Sequence, residues 1–356
     1  MTQALIIASA KTVDNHGSLD DCLAQQASLI QQGLRVIELI IDPLSTPWHS
    51  QLAHHHYRSG CAPIEALAEA RSLISSGAVD AVVISGTDRL RSDYDRQERL
   101  NLMAVYGQDY PLTTAYNELA EQFIQRQHSD AAQFRALAEQ LFENYQRRYQ
   151  QLNADKLSPE SLPDERWYQP ITSLFRGVDC ANPLIDFSGR LLIGNSAAVK
   201  ALHLKPADTL EVASVGLGLL ADDGQQAIAD IVSYTHLKKA YQLACQQADI
   251  DFAQLFRDGH ALLEVYTCYP VVPMAFLLNS GLIDNLEQLP AFLKQHLITI
   301  TGGMNLAKGP WNNPALNSLI DMHQQLLTST RHSCGVVHGN GGLGYKQGVA
   351  ILKKVC

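Results

Sequence analysis

The chain has 356 residues, 46% hydrophobic and 18% charged, which allows two core-forming units or one large duplicated one and argues against disorder. A net charge of −9 gives no electrostatic reason to expect a nucleic-acid partner. No stretch reaches the roughly 18 uninterrupted apolar residues of a membrane span, and Met1–Ala8 lacks the basic flank of a signal peptide, so a cytoplasmic chain is expected.

Leu5–Ala10 is a short apolar run and predicts a buried strand. Leu19–Gln32 predicts a helix with Leu23, Ala27, Leu29 and Ile30 along it, and Gly33 stands where a left-handed cap is needed. Val36–Ile41 predicts the next strand, closed by Asp42-Pro43. Pro63 stands where a helix can begin, because the first turn needs no amide donor. Ile64, Leu67, Ala68, Arg71 and Ile74 recur at the spacing of one buried helical face. Cys61, just before that helix, is placed to feel the positive end of its dipole, which favours thiolate. The same residue also reads as a small buried hydrophobe. Val79–Ser85 predicts a strand and completes a β-α-β-α-β alternation, the mark of a layered α/β unit.

From about Asp93 to Asn182 the chain turns polar, with a long helix expected over Asp130–Leu152 and Pro159, Pro163 and Pro170 breaking up its end. This stretch reads as an insertion lying over the first layer rather than as core. Leu191–Ala198 returns to strand and helix, closing an N-terminal half of residues 1–200. Residues 201–356 repeat the style. Leu210–Gly216 and Ala261–Tyr266 predict strands, Ile228–Ala248 and Pro314–Leu327 helices, and Cys334–His338 with Gly348–Leu352 two strands joined by a glycine-rich turn.

The seven cysteines (22, 61, 180, 245, 268, 334 and 356) are odd in number and scattered. With no CxxC pair they fit a reducing compartment, and neither a disulfide framework nor a metal site is expected. His54-His55-His56 reads as a polar loop, since consecutive side chains diverge. Gly339–Gly344 matches the G-x-G-x-x-G string, but a dinucleotide fold needs a helix after it, and a strand is expected here. His338 ends an apolar strand, either as a structural imidazole or as a general base at a rim. Cys268, between Tyr266 and Tyr269, also ends a strand and reads as core or as a reactive group. In the loop Gly302–Pro314, Asn312 or Asn313 suits a helix N-cap, and the same pair beside Trp311 would form a pocket wall.

In order, the Cys61-led helix ending in SSGAVDAVVISGTDR, the insertion, EVASVG, LLEVYTCYP, TGGMNLAKGPWNN and GVVHGNGGLG resemble the thiolase superfamily over nearly the whole chain. The resemblance implies duplicated βαβαβαββ halves in five α-β-α-β-α layers, with a loop domain inserted at about 93–182. It implies a nucleophile at Cys61, although the distance to Gly77 is one residue short and leaves Gly60 as the alternative position. It implies that Ser214 corresponds to the serine that touches the pantetheine arm of coenzyme A, and Gly303 and Gly341 are further candidate coenzyme A-binding positions. His338 stands where thiolases carry a second, acid/base cysteine.

The sequence also departs from the family. Thiolases have Asn-Glu-Ala-Phe where this chain has Tyr266-Thr267-Cys268-Tyr269, and Gly-His-Pro where it has Gly309-Pro310-Trp311. The histidine that completes the oxyanion hole is therefore missing, and losing one such donor typically costs about a hundred- to a thousandfold in rate. KGPWNN and GNGG are most similar to proteins related to the sterol-carrier-type thiolases. The resemblance implies an acyltransferase acting on acyl-CoA, by Claisen-type condensation or thiolytic cleavage through acyl-Cys61. His338, Asn312 and Asn313, with Cys268 and Tyr266 behind them, would supply the base and the donors. Coenzyme A is then part of the substrate, no cofactor is permanently bound, and a homodimer is expected. Two rival readings are an acyl-CoA- or partner-binding protein without turnover, and a retro-aldolase whose tyrosines act as acid and base with an accessory chain.

Overall fold

The computed structural model describes residues 2–154 and 162–355, so Pro159 and Cys356 lie outside the described residues. The N-terminal half runs β1 (Leu5–Val13), β2 (His16–Ser18), α1 (Asp20–Gln31), β3 (Val36–Ile41), β4 (His56–Tyr57), α2 (Ala62–Ser75) and β5 (Ala81–Arg89). The insertion supplies α3 (Arg96–Met103), α4 (Leu112–Arg126) and α5 (Ala131–Leu152), and β6 (Asp186–Gly194) with α6 (Ser196–Ala201) closes the half. The second half begins with β7 (Leu210–Leu219), α7 (Ile228–Ile231), α8 (Thr235–Ala248), α9 (Phe252–Arg257) and β8 (Ala261–Glu264). It ends with α10 (Val271–Asn279), α11 (Leu289–Gln295), α12 (Gly303–Leu306), α13 (Pro314–Thr328), β9 (Cys334–Gly341) and β10 (Lys346–Lys354). Gly33 follows α1 at φ +81°, the left-handed cap its position predicts.

The strands join in the order β4-β3-β5-β6-β1-β7-β10-β9-β8, with β2 on β1. β1 and β7 share only two residue pairs, Leu5 with Glu211 and Ile6 with Leu210. Helices α2 and α13 each touch strands of both halves. The two half-sheets must therefore face one another across these two helices.

The side chains confirm this sandwich, because strands buried on both faces alternate between two cores. Val82, Ile84, Leu191, Ile193, Val212, Val337 and Ala350 meet Ile64, Leu67, Leu316 and Leu319 of the central helices. Ala81, Val83 and Leu192 pack outward with Leu29 of α1 and Ala198 of α6. On the other sheet, Val336, Val349 and Ile351 pack outward with Leu237 of α8 and Phe276 of α10. The result is the expected five layers: helices, half-sheet, central helices, half-sheet, helices.

The insertion differs from its expected role as a cover on the first layer. Phe123 of α4 and Phe134 and Leu141 of α5 belong to the largest core, together with Phe276, Leu289 and Phe252 of the second half. Helices α4 and α5 each carry an apolar stripe long enough to bury, and the second half offers the matching face. Among the described residues no helix is long and apolar enough to cross a membrane.

Candidate active site

β8 and β9 run parallel and deliver their carboxyl ends to one place. Tyr266 and Cys268 follow β8, and Asn340 lies near the end of β9. There they line a cavity with about 110 Å³ open to water, walled also by Gly60, Tyr116, Tyr269, Trp311 and Asn312. Insertion residues Met103, Val105 and Leu112, with Trp48, complete its outer wall.

Gly60 faces the cavity and Cys61 does not. Arg58 fixes the segment before them, bonding Asp42 at 2.8 Å and the carbonyls of Trp48 and Ser50. Ser59 is held at φ +113°, a strained value for a residue with a side chain. Its amide donates to Asn312 Oδ1 at 3.2 Å, and its hydroxyl accepts from the Cys61 amide at 3.3 Å. The next step of backbone turns the Cys61 sulfur inward, where a Cβ on Gly348 would lie 2.8 Å from it and one on Gly339 3.6 Å away. Those two glycines are bare because the start of α2 lies directly on β9 and β10.

The expected thiolate is not what this setting favours. Burial pushes the Cys61 thiol well above its usual value, Glu65 adds to the rise, and only Lys346 opposes it. A helix N-terminus is worth about 0.3–1 kcal/mol at exposed sites, too little to offset full desolvation of a thiolate.

At Gly60, by contrast, an added Cβ would sit 1.9 Å from Tyr266 Oη and 2.5 Å from the Asn340 carbonyl oxygen. The Tyr266 hydroxyl thus occupies the space a side chain at position 60 would need. It has no hydrogen-bond partner among the described residues, whereas its backbone amide donates to a side chain.

That amide begins a relay with a single direction. Tyr266 N–H donates to His338 Nδ1 at 3.4 Å, and His338 Nε2–H donates to Gln347 Oε1 at 2.8 Å. Gln347 Nε2 donates to Asn340 Oδ1 at 2.7 Å, and Asn340 Nδ2 donates to Tyr116 Oη at 3.1 Å. Tyr116 Oη passes its own proton to the Gly342 carbonyl at 2.7 Å and accepts from Cys268 Sγ at 3.4 Å. Each bond fixes the next, so the histidine tautomer and both amide orientations follow from the chain. His338 is buried against the Phe276 ring, and desolvation lowers its pKa to about 4, so it is neutral and serves as a support for Tyr266.

The remaining sequence candidates separate in the same way. Asn312 lines the cavity, donates Nδ2 to the Asp42 carbonyl at 2.8 Å and holds Ser59. Asn313 precedes α13 without capping it through its side chain, which donates instead to Asp88 Oδ2 at 2.8 Å. Burial raises Asp88 to about pKa 7, against the hydrogen bonds of Asn313 and Asn312. Ser214 is buried on β7 and donates to the Ala244 carbonyl of α8 at 2.7 Å, so the structure does not bring it to the cavity. Gly341 backs onto Ser59 and Gly303 onto Tyr145 and Thr267, while Met304, next to Gly303, reaches the wall.

Cys268 is the cysteine on the cavity wall, and burial pushes its thiol to about 12 despite the Tyr116 hydrogen bond. Sequence reasoning missed Tyr116 and Asn340. Asn340 shares the β9 face of His338 by period-two alternation, a signal the glycine string hid; Tyr116 gave none. His56 of the histidine triplet bonds Asp42 at 2.7 Å, and no group of three or more metal-ligating side chains occurs among the described residues.

No protein-family model matches the sequence, and no curated protein matches it either. Solved structures do. A monomeric SCP2-thiolase-like protein type 1 from Mycobacterium smegmatis superposes with a TM-score of 0.71 at 16% identity, over 99% of this chain and 78% of that one. Acat5 thiolase from Ascaris suum, in complex with coenzyme A, gives 0.63 at 15% identity over 99% and 100%. An Ltp2-ChsH2(DUF35) aldolase gives 0.64 at 13% identity over 99% and 98%. The protein has a thiolase-like fold.

Proposed function

We propose that this protein acts on an acyl-CoA thioester and makes or breaks the carbon–carbon bond beside its carbonyl in an aldol-type reaction, with Tyr266 moving the proton. In the cleavage direction Tyr266 Oη, ionised to the phenolate, takes the proton of the substrate's 3-hydroxyl, the Cα–Cβ bond breaks and its electron pair forms the thioester enolate. Cα then takes that proton back from Tyr266, which regenerates the phenolate and leaves a shorter acyl-CoA and an aldehyde or ketone. No cofactor enters the balance. The observation that carries this reading is the uncommitted Tyr266 hydroxyl lying over Gly60, with the Cys61 sulfur turned into the wall. A solved aldolase and a coenzyme A-bound thiolase among the structural neighbours support the substrate class.

A second reading, acyl transfer through a cysteine, is favoured at Cys268, whose sulfur edges the cavity. Intact mass after incubation with acetyl-CoA, beside turnover of a 3-hydroxyacyl-CoA, separates the two. Aldehyde or ketone release with no protein adduct supports the aldol reading. An adduct lost in Cys268→Ala supports acyl transfer, and an adduct lost in Cys61→Ala defeats both. Saturable acyl-CoA binding with neither outcome leaves a binding protein. The pairing into a homodimer that the resemblance implies belongs to the same proposal, and sedimentation of the purified chain checks it.

A further inference from the structure

A second recess lies at the other ends of β8 and β9, a strand's length from the cavity. It holds about 660 Å³ and is lined by Arg148 of α5, Arg257 at the end of α9, and Arg331 and His332 just before β9. Among the described residues no aspartate or glutamate lines it, in a chain of net charge −9. Among the described residues none of the three arginines is in an ion pair within 4 Å. Among the described residues Arg257 bonds only the carbonyls of Gly281 and Leu282, and Arg148 bonds the Ile300 carbonyl and the side chains of Gln151 and Gln325. Two carboxylates act on Arg148 from behind the wall, and both are committed. Glu264 accepts from Ile300 N, Thr301 N and Thr301 Oγ1, and Asp321 pairs with Lys11.

An independent observation points to a ligand. Thr299 lies on the wall, is 1% exposed, and its Oγ1 has no hydrogen-bond partner among the described residues. A buried hydroxyl left without a partner is costly, and native proteins rarely tolerate one without cause. His332 registers the positive field: after burial, the charges of Arg331, Lys354, His260 and Arg148 hold its pKa below the usual value.

We propose that this cleft binds a small molecule through its phosphate group, with Arg331, Arg257 and Arg148 around the oxygens and the Thr299 hydroxyl donating to one of them. Guanidinium forks match phosphate geometry, and a recess of one sign concentrates its counter-ion. The site stands apart from the reacting cavity, so it does not depend on the aldol reading.

Calorimetric titration with inorganic phosphate and with pyrophosphate tests it. One saturable site per chain is expected, weakened about tenfold or more in Arg331→Gln, which loses charge-assisted bonds. Thr299→Val should weaken it about three- to tenfold, one net hydrogen bond, without lowering the melting temperature, because it removes an orphaned hydroxyl in nearly the same shape. Where Arg331→Gln fails to fold, Arg257→Gln carries the same expectation. No saturable binding, or binding unchanged in these variants, overturns the proposal. Tighter binding of citrate than of pyrophosphate also overturns it, in favour of a carboxylate site.

Discussion

Residues 58–61 and residues 266–269 each lead from a strand into a helix, and each carries a cysteine at that threshold. In the first, Ser59 at φ +113° turns the Cys61 sulfur onto bare β9 and β10 and leaves Gly60 facing the cavity. In the second, Tyr266 and Cys268 both reach the cavity wall, with the Tyr266 amide tied to His338. The same local signal, a cysteine before a helix, therefore has opposite consequences. What differs is side-chain direction, set by one strained residue and by what lies behind it.

The sharpest way to break this contrast is Tyr266→Phe. Removing a proton-transfer group typically costs about a hundredfold or more in kcat, while acyl-CoA affinity should hold. An unchanged kcat would remove Tyr266 from the chemistry. Burial holds the Tyr266 hydroxyl well above its ordinary pKa of 10.0, so a rate that needs the phenolate should climb with pH through the neutral and alkaline range. A plateau near neutrality in the pH–rate profile would assign the base elsewhere.

Gly60→Ala comes next. Its Cβ would meet a tyrosine oxygen at 1.9 Å and a backbone carbonyl oxygen at 2.5 Å. Denaturant melts should show a loss of about 1–3 kcal/mol, the usual cost of overpacking, together with lost turnover. Full stability would mean that the cavity is roomier than the contact distances imply.

Asp88 tests the scaffold linking the two segments, since it accepts from the Asn312 amide, and Asn312 holds Ser59. Its folded pKa is raised from 3.8 to about 7. A raised pKa means the folded state holds the proton longer, so this contribution is present below pH 4 and lost as pH rises through 7. The slope is up to about 1.4 kcal/mol per pH unit. Melting curves of Asp88→Asn should lack that slope, and parallel curves for the two proteins would refute it.

The smallest effect is expected from Cys61→Ala. Turnover should be unchanged, and stability should fall by about 1 kcal/mol for the lost buried sulfur. In the native protein an alkylating reagent should reach Cys268 before Cys61, and peptide mapping of the labelled chain reads the order. Earlier labelling of Cys61 would reverse the comparison.

Much of the fold was legible because it rests on short-range periodicity. The doubly buried strands, Gly33 after α1, Pro63 in the first turn of α2 and the terminal hairpin all follow from local rules. The site was legible only in part. Tyr266 and Cys268 were found because unusual residues cluster at the end of a strand, Asn312 because it sits in a loop of unusual composition before α13, and all three line the cavity. Tyr116 was not, because a tyrosine on the apolar stripe of an insertion helix looks like any core residue until α4 docks on the second half.

By itself the sequence determined the alternation of strands and helices and which residue types crowd the loops between them, since backbone propensity and apolar period act over a few residues. Tertiary structure alone decided that Cys61 faces a wall and Gly60 a cavity, that His338 is a neutral support, and that three arginines distant in sequence share one recess. Direction and desolvation depend on what packs against a side chain, and those partners come from parts of the chain up to several hundred residues away.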